Sequence, residues 1–139
     1  MEKNVFLNIK AGISSEDGSE EIITTAKGSY YKQKDCEYVL YTEESEDGLS
    51  QKCRLKISDE ELEMRKTGGY TAVMIFTRNK KTYTDYKTPY GMLSLEIDTK
   101  KLDYFVNSDE MKIRLEYLLN VNGGESSLHK MDIQIMNEK

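Results

Sequence analysis

The sequence predicts an all-β protein, a single antiparallel β-barrel of about eight to ten strands wound up and down. Apolar residues recur at every second position in one segment after another. These segments follow each other at a spacing of roughly ten residues, separated by glycine-rich, asparagine-rich or acidic turns. No stretch carries the three-to-four-residue period of a buried helix face. Ten strands joined by short turns favour closure, because a closed sheet leaves no hydrogen-bonding edge exposed.

Val5, Leu7 and Ile9 alternate with Phe6, Asn8 and Lys10, the pattern of a strand with one face inward, and the acidic run 14–19 turns it. Residues 22–31 are rich in β-branched and aromatic side chains, and Gly28 among them predicts a bulge or sharp bend. Residues 37–42 make a third strand, with 43–48 as its turn. In the return strand Cys53, Leu55 and Ile57 alternate with Lys52, Arg54 and Lys56. Leu62 and Met64 then face in, up to Thr67-Gly68-Gly69. The run 70–77 is the most apolar in the chain. It sets Ala72, Met74 and Phe76 on one parity and Val73 and Ile75 on the other, so both of its faces are expected to be covered.

Arg78-Asn79-Lys80-Lys81 suits a tight hairpin turn, and the strand 81–86 follows. Thr88-Pro89-Tyr90-Gly91 is a corner around the only proline. Leu93, Leu95 and Ile97 face inward in the next strand, and Leu102, Tyr104 and Val106 carry a further short one. The cleanest alternation is Met111, Ile113, Leu115, Tyr117, Leu119 and Val121. Asn122-Gly123 then gives the strongest short-range hairpin signal, and Met131, Ile133 and Ile135 pair back.

At 139 residues the chain is long enough for one domain, 1–139, with a single core. With 37% apolar and 32% charged residues, that core is thin. The net charge of −5 lies in the first half, where residues 1–69 hold 15 acids against 10 bases. Neither duplex DNA nor an anionic membrane is expected as a partner, since both want a basic face. Cys36 and Cys53 are too few for a zinc site or a disulfide scaffold and read as reduced thiols. The first apolar run is cut by Asn8 and Lys10, and nothing approaches the ~20 apolar residues of a membrane helix. A cytoplasmic protein is expected.

The pattern resembles the YwiB-like family, small bacterial proteins of unknown function. The resemblance rests on Gly28 with Tyr30-Tyr31, on Tyr38 and Tyr41 before Glu43-Glu44, and on Met64-Arg65 with Gly68. It continues through Met74-Ile75-Phe76, the corner Tyr86-x-Thr88-Pro89-Tyr90-Gly91, and Leu115-Glu116-Tyr117 leading to Asn122-Gly123. Thr42 departs from the pattern, because relatives often carry an acid there. The resemblance implies a calycin-like, lipocalin-like barrel and implies no activity.

No phosphate-cradling glycine loop, metalloprotease motif or Gly-x-Ser-x-Gly elbow occurs, so neither enzyme activity nor a cofactor is expected. The acidic turn Glu43-Glu44-Glu46-Asp47 offers oxygens to a hard cation but lacks the spacing of a calcium loop, and reads as a solvated hairpin tip. His129 is the only histidine and has no partner set for zinc. Cys53 reads as a small core residue, and the acids flanking Cys36 blunt its reactivity.

The ten tyrosines are the remaining signal. Tyr83, Tyr86 and Tyr90 around the Pro89 corner, with inward Tyr117 and the cations Arg65 and Arg78, are the expected ligand-binding residues at a barrel mouth. The expected function is a non-enzymatic binding protein for a small amphipathic or acidic ligand. It predicts a roomy interior, and it fails if the interior is filled by Met64, Met74, Phe76 and Leu115. The alternative is a protein- or RNA-interaction module on the outer barrel surface. It would use Arg78, Lys80, Lys81, Lys87, Lys100 and Lys101 interleaved with Tyr83 and Tyr86.

Overall fold

The computed structural model describes residues 1–15, 18–44 and 48–138, and these hold ten β-strands. They are β1 (Asn4–Ser15), β2 (Gly18–Gln33), β3 (Cys36–Glu44), β4 (Ser50–Ile57) and β5 (Glu61–Gly68), followed by β6 (Ala72–Thr77), β7 (Lys81–Thr88), β8 (Gly91–Val106), β9 (Glu110–Val121) and β10 (Ser126–Asn137). The sheet order is β6-β5-β4-β3-β2-β1-β10-β9-β8-β7, antiparallel throughout. The two outermost strands of this ladder are neighbours in sequence. Their turn places Asn79 at φ +61° and lets the Lys80 N–H donate to the Thr77 carbonyl at 3.0 Å. Their backbones meet in one bridge, Thr71 with Lys87, bonded both ways at 2.9 Å, and the Thr82 hydroxyl donates to the Ile75 carbonyl. The barrel is therefore nearly closed, with a thin seam between β6 and β7.

Inward parity fills the barrel axis. Leu7, Leu55, Leu62, Phe76, Leu102 and Leu115 are completely buried, each contributing about 1.5–3 kcal/mol by removal from water. Met64 and Met74 are buried in the same cluster. Met64, Met74, Phe76 and Leu115 thus fill the interior, as side chains do in small barrels, the arrangement that rules out a roomy ligand cavity along the axis.

Three local expectations are corrected. Val73 and Ile75 are half-buried on the outer face of β6 rather than covered, because only the inner row of Ala72, Met74 and Phe76 meets the core. Gly28 makes no bulge, and its pairing with Val5 and Tyr41 is regular. A Cβ there would stand 2.7 Å from the Leu40 carbonyl and 2.8 Å from Leu7 Cδ1, so the position needs glycine for close approach. Residues 92–97 and 102–106 belong to one strand, β8. A register shift between Thr99 and Lys101 absorbs the polar Asp98-Thr99-Lys100-Lys101 and moves the inward set from odd to even numbers, so Leu102 and Tyr104 point in and Val106 lies exposed.

Candidate functional site

The hairpin turns alternate between the two ends of the barrel. One end carries the turns after β3, β5, β7 and β9, and here polar groups enter on inward positions. Glu43 continues the inner row of Val39 and Tyr41, Gln51 that of Cys53 and Leu55, and Lys66 that of Leu62 and Met64. Because β3, β4 and β5 are neighbours, the three side chains meet. Lys66 Nζ lies 3.1 Å from Glu43 Oε1, and Gln51 Nε2 donates to the same oxygen at 3.1 Å. Gln51 is only 2% exposed, yet its Oε1 has no hydrogen-bond partner. An orphaned buried acceptor costs about 1–3 kcal/mol in lost hydration.

The surroundings keep these groups in fixed states. Burial works to lower the Lys66 pKa, and the Glu43 carboxylate more than offsets it, so the ammonium is held above its ordinary value. Burial, helped by Glu43, pushes the Cys53 thiol up to about 11, which makes it unreactive at neutral pH. Burial raises Tyr41 and Tyr86 too, with Lys66 partly opposing the rise at Tyr86. All of these remain neutral hydrogen-bonding groups.

Across the barrel the lining turns apolar. Tyr86 packs its ring 6.1 Å from that of Tyr70. Tyr117 sits between Phe76, at 4.8 Å, and the stacked imidazole of His129, at 4.9 Å. Burial pushes the Tyr117 hydroxyl up to about 12 and lowers the His129 pKa, so the ring is neutral at pH 7. The Ser127 hydroxyl lies 2.9 Å from His129 Nε2, a part-buried pair on one strand with no carboxylate among the described partners of the ring to orient it as a catalytic base. Beyond Tyr117 the long β1-β2 hairpin continues the inner face with Ala11, Ile13 and Ile22, and Ile22 is 51% exposed. The mouth is thus two-sided, with an ion pair and amide on one wall and aliphatic side chains on the other.

Of the six residues expected to bind ligand, Tyr86 and Tyr117 reach this mouth. Arg65 and Tyr83 occupy outward positions, where Arg65 pairs with Glu63 at 3.5 Å and Tyr83, 72% exposed, bonds Glu96 at 3.3 Å. Tyr90 lies on the turn tip, 84% exposed. Arg78 faces the opposite end, where its Nε and Nη2 grip the Leu102 carbonyl and its Nη1 meets Glu60 at 3.2 Å. The expected set does not converge, because β5 and β7 present alternate residues to opposite faces. Glu43, expected at a solvated hairpin tip, instead ends the inner row of β3, and neither Gln51 nor Lys66 is among the expected site residues, although each of the three is a polar residue continuing an apolar parity, which is the signal that marks them.

The basic surface expected around β7 and β8 is partly neutralised, with Lys80 and Lys87 forming no ion pair among the described residues. Lys81 pairs with Glu96, Lys100 with Asp98 and Lys101 with Asp103, while Tyr86 is turned inside. Glu46 and Asp47 of the acidic turn, and Glu16 and Asp17 of the first turn, lie outside the described residues. Among the described residues no group of three or more His, Cys, Asp or Glu side chains is placed to hold a metal ion. No described helix is long and apolar enough to cross a membrane.

Ten antiparallel strands, a packed axis and a two-sided mouth define a small β-barrel protein. The chain belongs to DUF1934, a family described as a domain of unknown function, whose model matches residues 7–133. It is 28% identical over 133 residues to the uncharacterized beta-barrel protein YwiB of Bacillus subtilis (strain 168), covering 95% of this chain and 92% of that protein. The crystal structure of the Bacillus subtilis YwiB protein superposes with a TM-score of 0.88 at 25% identity, covering 99% of this chain and 93% of that one.

Proposed function

We propose that this is a non-enzymatic binding protein that holds a small amphipathic molecule at the barrel mouth, in the manner of a calycin-like barrel. The observation that carries this reading is Gln51, 2% exposed, with a carbonyl oxygen that none of the described residues satisfies. A hydroxyl, amide or ammonium donor on the ligand completes it, next to the Lys66-Glu43 pair. The apolar part of the ligand lies toward Ile13 and Ile22. Because Lys66 is already matched by Glu43, a donor-bearing ligand suits the site better than a purely acidic one. The packed interior limits the ligand to the mouth. The free thiols Cys36 and Cys53 fit a reducing cytoplasm.

The test is native mass spectrometry of protein purified from its own cells against the denatured mass of the same sample. The expected result is an excess of a few hundred daltons that denaturation removes and that Gln51→Met diminishes. A bare mass for the native protein, or an excess that Gln51→Met leaves unchanged, counts against the mouth as the site.

A further inference from the structure

The outer surface of the barrel divides its charge unevenly. On β8 to β10 and β1 the cations are answered one by one, as Lys10 by Glu21, Lys112 by Glu110, Arg114 by Asp132 and Lys130 by Glu116, and on β7 Lys81 meets Glu96 while Lys87 forms no ion pair among the described residues. The outward positions of β3, β4 and β5 behave differently. Arg54 and Arg65 stand directly opposite each other in the β4-β5 register, an arrangement of like charges that is unfavourable by itself. Both lean on one carboxylate, Glu63, which takes Arg54 at 3.2 Å and Arg65 at 3.5 Å. Lys52 and Lys56 share the same outward row of β4 and form no ion pair among the described residues. Four cations therefore surround one carboxylate in the middle of this face, with Glu44 and Glu61 at its two rims. This occurs on a chain whose net charge is −5.

Aromatic rings lie beside the cations. Tyr31 and Tyr38 are paired across β2 and β3 and stack at 4.8 Å with planes 7° apart, and the Arg54 guanidinium lies 5.4 Å above the Tyr38 ring. Tyr31 remains 39% exposed, so part of its ring is open to a further planar group.

We propose that this face, Tyr31, Tyr38, Lys52, Arg54, Lys56 and Arg65, is a binding surface for single-stranded RNA. The phosphates lie along the two lysines and Arg65, and a base stacks at Tyr31. Cations alone would suit any acidic partner. Unsatisfied cations together with an accessible aromatic stack on an open sheet face are what an unpaired nucleotide needs, since it offers charge and a flat ring at once. A duplex hides its base faces and cannot use the tyrosine. This surface is separate from the mouth and does not depend on a ligand there.

The test is fluorescence anisotropy of the full chain with a labelled single-stranded RNA of about 12 nucleotides in about 50 mM salt. With three or four phosphate contacts, affinity is expected to fall with salt at a log–log slope of about −2 to −3. The triple change Lys52→Gln, Lys56→Gln and Arg65→Gln is expected to remove binding. Tyr31→Ala is expected to weaken it about tenfold. Lys112→Gln with Lys130→Gln, on the matched face, is expected to leave it unchanged, and circular dichroism checks that each variant keeps its sheet. Absence of binding by the wild type overturns the proposal, as does binding that survives the triple change. If a duplex or an oligo-glutamate peptide competes equally well and Tyr31→Ala has no effect, the surface recognises charge alone and the RNA assignment falls.

Discussion

The two ends of the barrel treat buried polar groups in opposite ways. At the end that carries the β6-β7 turn, the Arg78 guanidinium closes on the Leu102 carbonyl, the Tyr104 hydroxyl donates to the Glu61 carbonyl at 3.0 Å, and the Tyr30 hydroxyl donates to the Glu37 carboxylate. The first two join segments distant in sequence, the third spans the β2-β3 hairpin, and each uses up a polar side chain. At the mouth, Glu43, Gln51 and Lys66 bond to one another and still leave Gln51 Oε1 unanswered. The first end is a plug built for stability. It keeps an orphan of its own in the hydroxyl of the fully buried Thr99, whose backbone bonds to Asn79 and Lys80 of the β6-β7 turn, but only at the mouth does the orphaned atom stand beside an ion pair. A charged side chain near the barrel axis is therefore no guide to a site by itself; what matters is whether the chain satisfies it.

The comparison breaks first if the axis between the two ends is not solid. Phe76 is completely buried and its ring meets Tyr117 at 4.8 Å. Phe76→Ala is expected to lower stability by about 3–5 kcal/mol in urea denaturation, the cost of lost transfer plus a cavity. A loss below about 1 kcal/mol would mean that the interior is open and solvated.

Next in size is the ion pair at the mouth. Lys66→Met strands the Glu43 carboxylate among Tyr41, Cys53 and Gln51, and is expected to cost about 3 kcal/mol. Adding Glu43→Leu should return most of that, because an apolar pair of similar volume replaces a desolvated one. Equal and small losses for both variants in denaturation would place the pair in free solvent.

Alkaline pH gives a smaller effect that is specific to the same end. Cys53 holds its proton up to about 11 in the folded chain, whereas an unfolded thiol releases it near pH ~8.5. Between these values the native state binds more protons than the unfolded one, so stability present below pH ~8.5 is lost as the pH rises. Tyr117, held to about 12, and Lys66, held above its ordinary value, act in the same direction at higher pH. Urea midpoints measured from neutral pH to about pH 11 should fall, and Cys53→Ala should remove the earliest part of the decline, at most about 3 kcal/mol.

Much of the fold was legible because period two shows directly in the residues. Val5-Leu7-Ile9, Cys53-Leu55-Ile57 and Met111 to Tyr117 are inward rows in the structure as in the pattern. The strand junction at Asp98 to Lys101 was not legible, since a bulge inside a continuous strand and a turn between two strands look alike in polar residues. The mouth was only half legible. Parity says that Lys66 points in, but which inward side chains meet depends on the stagger between strands, which alternation leaves open. Arg78 shows the limit most clearly. Alternation with Met74 and Phe76 puts it at the end of an apolar row but leaves open which end of the barrel that is, and its partner is a carbonyl 24 residues away that no local pattern announces.

The smallest stability effect bears most directly on the difference between the ends. Gln51→Met keeps the length of the side chain and removes both the donor to Glu43 and the orphaned acceptor. Losing the donor costs about 1 kcal/mol, losing an unsatisfied buried acceptor gains about as much, and the net change in denaturation is expected to lie within about 1 kcal/mol. Arg78→Met at the plugged end has no such compensation. It leaves the Leu102 carbonyl without its charged donor and is expected to cost about 1.5–3 kcal/mol. A polar group kept at the mouth without contributing to stability has its reason outside the unliganded chain. If Gln51→Met instead costs as much as Arg78→Met, the mouth is a second plug, and the case for a ligand there is lost.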